Sequence, residues 1–428
     1  MDASILLLQL AVILGAARLL GLGLKYLGQP GVVGEIAAGI VLGPLVFGAM
    51  APGMHARLFP PVSLPVLDGL AQLGLVLFMF VVGLELRLPS GARRELAPAA
   101  TVALASVLVP LALGVGVGLI TADRLAPAGV AAWPYALFLG CALAVTAFPV
   151  MARILRERGL SDSAPGRLAL AAAALADVLA WLLIAVVIAL AGNAGNPARV
   201  GLTLLGLAAF VIALLGILRP LIRWLMRHQA RDGEPSATVL AALLIGLFLC
   251  AFCTRQLGVH PVFGAFLFGA CLPRDDRLTA TLTERVQHVT LLVLMPIFFA
   301  LAGLSTSAGA FAGGQFHLLL LILAAAIAGK LVGATAGARL GGQPWRASLA
   351  VGALMNARGL MELIVIKVGL DIGVIGPEMF TMLLIMAVVT TMMTGPLLSV
   401  ILPAASSGAA VLAMRPAVDN LSEKRADG

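Results

Sequence analysis

The sequence has 428 residues, of which 61% are hydrophobic and only 11% are charged, and its mean hydropathy is +1.08. A soluble domain carries about 25% charged residues, so this composition excludes an ordinary water-soluble protein and indicates a protein embedded in a lipid bilayer. The formal net charge is +8, but the basic residues are spread over short loops, which favours membrane orientation over nucleic-acid binding.

Apolar stretches bounded by Pro, Gly and charged residues follow one another along nearly the whole chain. They predict an all-α integral membrane protein with thirteen transmembrane helices. Residues 1–402 form a single transmembrane domain in this interpretation, and residues 403–428 form a short cytoplasmic tail. The predicted spans are 3–24, 31–50, 64–87, 97–120, 134–158, 165–191, 199–227, 236–256, 259–273, 285–304, 316–338, 345–369 and 374–402.

The basic residues give the orientation of these spans. When the N-terminus is placed outside and successive loops alternate sides, twenty of the 28 lysines and arginines fall on the inner side and five on the outer side. The remaining three, Arg18, Lys330 and Arg358, lie within spans. Cytoplasmic loops of membrane proteins carry the excess of Lys and Arg, so the sequence predicts an N-out, C-in protein.

Two short motifs recur at a distance of seven spans. Because seven is odd, the second copy must lie upside down relative to the first. The recurrence therefore predicts two inverted six-helix repeats, spans 1–6 and 8–13, with span 7 as a linker, an arrangement typical of secondary transporters. The matched segments are Phe78–Leu84 with Phe298–Leu304, and Gly34 and Gly39 with Gly264 and Gly269.

Span 6 contains the apolar run Leu168–Ile188, whose single charged residue is Asp177. A charged side chain near the bilayer centre costs about 2.5–3.5 kcal/mol on insertion scales, which favours a functional role for the residue that carries it. We expect Asp177 to bind a proton and a cation in alternation. The alternative is a structural acid that is neutralised by a basic residue on a neighbouring helix.

Spans 5 and 12, which correspond in the two repeats, each contain a candidate interruption. Proline removes a backbone donor and disfavours helix at the residue before it, although in span 5 an ordinary kink is the alternative. Backbone carbonyls and amides at such interruptions can face an ion. We therefore expect two discontinuous helices to cross beside Asp177, with Thr146 completing an oxygen shell for Na⁺ or K⁺. The residues at the interruptions are Thr146, Ala147, Phe148 and Pro149, and Asn356, Ala357, Arg358 and Gly359.

Other charged residues within the spans are candidates for supporting roles. Lys330 in span 11 is predicted to be a counter-charge for Asp177, unless its long side chain extends to the cytoplasmic interface. Arg358 and Glu362 are four residues apart and can pair on one helix face, which favours a structural role. Glu362 and Glu35 are secondary candidates for the site, although Glu35 falls near the cytoplasmic end of span 2.

Six motifs, in this order along the chain, resemble the monovalent cation:proton antiporter-2 family, which includes bacterial sodium/proton antiporters and potassium-efflux antiporters. The resemblance covers about residues 5–402. The motifs are GVVGEIAAGIVLGP (31–44), FVVGLEL (80–86), ADVLAW (176–181), GAFLFG (264–269), NARGLMEL (356–363) and TTMMTGP (390–396).

This resemblance implies a homodimer in the inner membrane of a bacterium, in which a core domain moves against a dimerisation domain. It also implies that Asp177 binds the cation and the proton competitively and that Lys330 supports it. Ala176 departs from the family pattern, in which an acid, Asn or Gln precedes the aspartate. We therefore expect Lys330 to pair with Asp177 itself and exchange to be electroneutral, one cation for one proton.

The predicted function is a secondary antiporter that exchanges Na⁺ or K⁺ for protons by alternating access and serves pH homeostasis. Its partners are these ions, the lipid bilayer and a second copy of the chain, and no cofactor is expected. A gated cation channel on the same scaffold is an alternative. An intramembrane enzyme is disfavoured, because the only paired acids, Asp275 and Asp276, lack a second acidic cluster to hold Mg²⁺ and no H-E-x-x-H motif is present.

Overall fold

The computed structural model describes residues 3–26, 29, 31–85, 96–161, 163–192, 197–229, 237–272 and 284–402. Over these ranges the chain is all-helical. The predicted tail, residues 403–428, and the paired acids Asp275 and Asp276 lie outside the described residues, as does the end of the predicted third span at residues 86–87.

The helices up to residue 192 include both long spans and short segments. The break between α7 and α8 lies inside the predicted fifth span. The bounds are α1 Ala3–Tyr26, α2 Gly31–Leu42, α3 Phe47–Met50, α4 Pro52–Leu58, α5 Leu64–Glu85, α6 Leu96–Leu125, α7 Ala132–Ala144, α8 Phe148–Glu157 and α9 Ala164–Gly192.

The helices after residue 192 follow the same pattern. A π-helical turn, Leu214–Leu218, joins α10 to α11, and another, Thr290–Leu294, lies within α14. The bounds are α10 Pro197–Ala213, α11 Arg219–Gln229, α12 Ala237–Gln256, α13 Pro261–Cys271, α14 Glu284–Leu304, α15 Phe316–Leu340, α16 Trp345–Met355, α17 Leu360–Asp371 and α18 Pro377–Ile401.

Ten helices in the described residues are long and apolar enough to cross a bilayer. The pair α16 and α17 makes an eleventh if it is one span bent by 45°, and α7 and α13 are apolar but shorter. Every predicted span therefore coincides with helix. The count of thirteen spans and the N-out orientation remain predictions, because helix length and composition alone do not decide which short helices cross.

The helices pack as two groups. The crossing group, α6–α9 and α15–α18, contains both interrupted spans, and its members pack mainly on one another. The flanking group consists of α1, α2, α5 and α12–α14. Helices α10 and α11 connect the groups, since α10 packs on α9 and α11 on α12.

A stripe of glycines brings α15 close to α6. Gly329, Gly333 and Gly337 recur every four residues, so they lie on one face of α15. A Cβ atom on Gly329 would lie 2.9 Å from Cα of Pro110, and one on Gly337 would lie 2.7 Å from the carbonyl oxygen of Thr101. Small residues at this spacing let two membrane helices approach closely. The approach fixes the position of Lys330, the residue after Gly329.

The glycines of the sequence repeat make equivalent contacts in the flanking group. A Cβ atom on Gly303 of α14 would lie 1.8 Å from the carbonyl oxygen of Gly39 of α2. In the other half, a Cβ atom on Gly83 of α5 would lie 3.1 Å from Cα of Gly269 of α13. Helix α2 therefore packs on α14, and α13 packs on α5.

Candidate functional site

The first interruption lies at the end of α7. Helix α7 ends at Ala144, and Val145 has extended backbone angles, φ −61° and ψ 143°. Ala147 also leaves the helical region, with φ −102° and ψ 88°. The prediction of non-helical backbone at Phe148 and Pro149 is wrong, because these residues begin α8. Proline is favoured in the first turn of a helix, where its missing N–H would have no intrahelical acceptor.

The second interruption separates α16 from α17 at the four predicted residues, Asn356 to Gly359. Hydrogen bonds to α18 hold this unwound segment. The amide nitrogen of the Asn356 side chain donates to the Thr390 carbonyl at 3.1 Å. The backbone N–H of Arg358 donates to the hydroxyl of Thr391 at 3.1 Å, and that hydroxyl donates to the Arg358 carbonyl at 2.7 Å.

The two interruptions cross each other in direct contact. The backbone N–H of Ala147 donates to the carbonyl of Ala357 at 3.2 Å. A Cβ atom on Gly359 would lie 2.6 Å from the side chain of Val150 on α8, so the close approach requires a glycine there. The two interruptions are therefore bonded backbone to backbone.

Arg358 joins three of the four half-helices at the crossing. It follows α16, and its guanidinium donates to the carbonyls of Ala142 and Leu143 at the end of α7, at 3.2 and 2.9 Å. It also forms a salt bridge of 3.0 Å with Glu362, in the first turn of α17. Both charged side chains are fully buried. The cation lies at a helix C-terminus and the anion at a helix N-terminus, so both charges complement the helix dipoles.

Lys330 does not pair with Asp177, contrary to the expectation from the sequence. Its ammonium donates to the carbonyls of Ser106 and Ala144 at 3.0 and 2.5 Å, and to the hydroxyl of Thr146 at 2.6 Å. The side chain is 0% exposed, so it does not extend to the interface. The carbonyl at the end of α7 attracts the ammonium because a helix C-terminus carries partial negative charge. Thr146, predicted as a cation ligand, is a partner of Lys330.

Asp177 lies in the middle of α9 and is 2% exposed. Within the described part of the chain, neither of its carboxyl oxygens has a hydrogen-bond partner. Lys330 is nevertheless close enough to interact with it electrostatically. The preceding residue, Ala176, is buried among other alanines. Asp177 also lines a narrow cleft, together with Val145 of the first interruption and Met361 of α17.

Glu35 lies away from the crossing, in α2 of the flanking group. Its carboxylate interacts electrostatically with Arg18 of α1 and Arg153 of α8. The structure therefore brings Thr146, Lys330, Arg358 and Glu362 together at the crossing but places Glu35 in another environment.

A sequence profile described as "sodium/hydrogen exchanger, transmembrane" matches residues 10–404, which is nearly the whole chain. The chain belongs to the sodium/hydrogen exchanger family. The family resemblance inferred from the motifs is thus confirmed, and the family is one of transporters rather than enzymes. Membership and the apolar helices together make this chain a multi-pass membrane protein.

Curated relatives extend this result. The chain is 39% identical to the Na⁺/H⁺ antiporter NhaS4 of Synechocystis, over 94% of its own length and 99% of the relative. It is 38% identical to cation/H⁺ antiporter 17 of Arabidopsis thaliana, over 92% of this chain. It is 33% identical to K⁺/H⁺ antiporter 1 of Saccharomyces cerevisiae, over 94% of this chain. The chain spans about half the length of the last two relatives, 48% and 46%.

The fold resembles that of the sodium proton antiporter MjNhaP1 from Methanocaldococcus jannaschii. The TM-score is 0.65 with 16% sequence identity, and the similarity covers 95% of this chain and 99% of MjNhaP1. At this identity the similarity concerns the fold. It supports the prediction of an antiporter-like, all-helical architecture.

Sequence reasoning missed several residues that shape the site. The carbonyls of Ser106 and Ala144 hold Lys330, but any residue offers a carbonyl, so no sequence signal marks them. Thr391 was visible only as part of a family motif. Trp181 lines the cleft beside Asp177, and its position four residues after Asp177 on one helix face could have identified it.

Proposed function

We propose that this chain is a secondary antiporter that exchanges Na⁺ or K⁺ for protons, and that Asp177 is the site for which the two compete. The named relatives exchange such ions for protons, which supports the reaction type. The site itself is supported by the crossing of two interrupted helices beside a buried acid, where transporters bind ions near the bilayer midplane.

One observation carries the proposal: the carboxyl group of Asp177 is buried and has no hydrogen-bond partner among the described residues. A carboxylate that leaves water without compensation is unstable, so it must take up a positive ion or become neutral. A bound proton and a bound monovalent cation both meet this need. Because one carboxyl group offers one negative charge, the two ions exclude each other.

Lys330 supports an electroneutral cycle in this proposal. An ammonium has three N–H donors, and all three find oxygen acceptors at the crossing. One of these acceptors is the carbonyl at the end of α7, whose partial negative charge favours a lysine that keeps its proton. With Ala176 uncharged, Asp177 alone would exchange its proton, one for each cation. Thr146 then acts through Lys330, and backbone oxygen of the interruption near Val145 supplies ligands for the hard cation.

The two helix groups support a transport cycle by alternating access. In this proposal the crossing group carries Asp177 past the flanking group, whose helices pack mainly among themselves. The equivalent glycine contacts of α2 with α14 and of α13 with α5 support two inverted repeats. We also infer thirteen spans in an N-out, C-in orientation and a homodimer in the cytoplasmic membrane of a bacterium.

The test is proton movement in proteoliposomes with an imposed pH gradient and a membrane potential clamped at zero. Na⁺, K⁺, Li⁺ and choline are added in turn to the wild type, to Asp177→Asn and to Asp123→Asn. Asp123 is an exposed acid in the last turn of α6, so its variant is a matched control. We expect Na⁺ or K⁺ to collapse the gradient with the wild type and the control but not with Asp177→Asn.

A gated cation channel is the competing function, and the same vesicles separate the two. A channel passes cations down their gradient without moving protons, so tracer flux would persist when the pH is equal on both sides and no proton is exchanged. Cation flux in Asp177→Asn equal to that of the wild type would refute the proposed site.

A further inference from the structure

Three narrow clefts join end to end between Asp177 and one end of the helix bundle. The first is lined in part by Asp177, and it shares Trp181, Ile184 and Val365 with the second. The second continues to His260, which it shares with the third. The shared residues place the three clefts one after another along the boundary between the crossing group and the flanking group, and we take this line as a route that opens during transport. In the predicted orientation this route leads to the outer side.

The two ends of the route differ in polarity. The third cleft opens among Asp68 of α5 and Lys367 and Asp371 of α17, and Lys367 forms an ion pair with Asp371. These ionised side chains make this end polar. The second cleft is lined by apolar side chains apart from His260. A cation that moves from the outer end to Asp177 must therefore cross an apolar section.

Trp181 stands where the apolar section meets the site. It lies four residues after Asp177 on α9, and it lines both the first and the second cleft. Its ring stacks on Phe266 of α13, with ring centroids 5.7 Å apart and planes 26° apart. Helix α9 belongs to the crossing group and α13 to the flanking group. The stack therefore joins the two groups across the boundary along which they would move.

At the inner end of this boundary, in the predicted orientation, charged contacts join the crossing group to the flanking group. A Cβ atom on Gly31 of α2 would lie 3.4 Å from the guanidinium of Arg153, so α8 rests against the start of α2 there. The carboxylates of Glu35 and Glu85 interact electrostatically with Arg153 and Arg156 of α8, respectively. Charged contacts therefore join the groups at this end, whereas the three narrow clefts lie between them toward the other end.

We propose that Trp181, stacked on Phe266, closes the last section of an outer route to Asp177 and so controls which small cations reach the carboxyl group. This inference rests on the proposed role of Asp177 as the ion site. An opening of the route requires the stack to separate, and an aromatic pair of this kind shifts such an equilibrium by about three- to tenfold. Trp181 is a gating residue that acts on access, whereas Asp177 binds the ion.

The experiment measures access without using transport. Ala180, which lines the first cleft, is replaced by cysteine in a chain whose native cysteines are changed to alanine. The rate of its modification by a cationic, membrane-impermeant methanethiosulfonate is measured from each side of the vesicle. We expect modification from the outer side to be about three- to tenfold faster after Trp181→Ala or Phe266→Leu, and close to the starting rate after Trp181→Phe.

Phe268→Leu is the matched control. Phe268 lies on the same helix as Phe266 and stacks on Phe80 of α5, at 5.8 Å, within the flanking group alone. Its loss should leave the labelling rate unchanged, and size-exclusion profiles identify variants that fail to fold. Equal acceleration by Phe268→Leu, faster labelling from the inner side, or no acceleration by Trp181→Ala or Phe266→Leu would each overturn the inference.

The proposed function and this inference fail in different ways. Loss of antiport in Asp177→Asn tests the ion site and does not depend on Trp181. The labelling rates test the route even in a protein that does not transport. If the labelling rates change as expected but Asp177→Asn exchanges ions like the wild type, the route is supported and the proposed ion site is refuted.

Discussion

The salt bridge between Arg358 and Glu362 makes a sharp prediction, because it separates a structural role from a direct role in ion binding. Replacing Glu362 with leucine leaves the guanidinium of Arg358 buried, with only the carbonyls of Ala142 and Leu143 as acceptors. Its Nε atom already lacks a partner in the described residues. Removal of one partner of a buried ion pair costs about 3–5 kcal/mol, so we expect Glu362→Leu to lower stability by that amount.

Two further variants test the reasoning behind this magnitude. Glu362→Gln keeps an oxygen that can accept from Arg358 and should lose less stability than Glu362→Leu. The double variant Arg358→Met with Glu362→Leu removes both charges, so its cost should be smaller than the sum of the two single costs by about 1–3 kcal/mol. It still loses the bonds to the end of α7 and should remain below the wild type.

Thermal unfolding in detergent, followed by intrinsic fluorescence, gives the order of five purified proteins: the wild type, the three variants above and the single variant Arg358→Met. Exchange in proteoliposomes is measured on the same preparations. A Glu362→Leu variant with wild-type stability but no exchange would refute the structural interpretation and would place Glu362 in the ion site. Additive costs in the double variant would show that the two charges do not support each other across the crossing.

Two other predictions follow from the packing. Thr146→Val removes one of the three acceptors of Lys330, a charged hydrogen bond worth about 1.5–3 kcal/mol. It should lower the melting temperature and alter the cation concentration that gives half-maximal exchange. If both values are unchanged, this contact does not support the site. Gly303→Ala would place a methyl group 1.8 Å from the carbonyl oxygen of Gly39, so it should abolish the folded peak in size-exclusion chromatography, whereas Gly15→Ala, which meets nothing within 4 Å, should behave as the wild type.

The helices could be predicted because each span has its own apolar run in the sequence. Apolar runs of about 20 residues have few alternatives to helix in a bilayer, where the backbone must satisfy its own hydrogen bonds. The interruption after α16 was equally visible, because it combines Asn356 and Arg358 with Gly359. In span 5, Pro149 predicted an interruption close to the observed one, but the interruption lies before the proline. The reason is that a proline can begin a helix as readily as it ends one.

The contacts of Lys330 could not be predicted from the same information. Sequence shows which side chains are charged, but it does not show which carbonyls a crossing leaves without intrahelical donors. Lys330 takes the carbonyl of Ala144 because α7 ends there. The expectation that Lys330 pairs with Asp177 rested on side-chain charges alone. It left out the partial negative charge at the end of the helix.

The contact of Gly39 with Gly303 has a consequence for biosynthesis. Gly39, where α2 contacts α14, is synthesised early. Its partner, Gly303, lies 264 positions later in the chain. At a synthesis rate of about 5–20 residues per second, α2 waits roughly 13–53 s for this partner. The nascent first half is therefore held in the membrane with its packing incomplete. It becomes a transporter only when the second half is inserted against it.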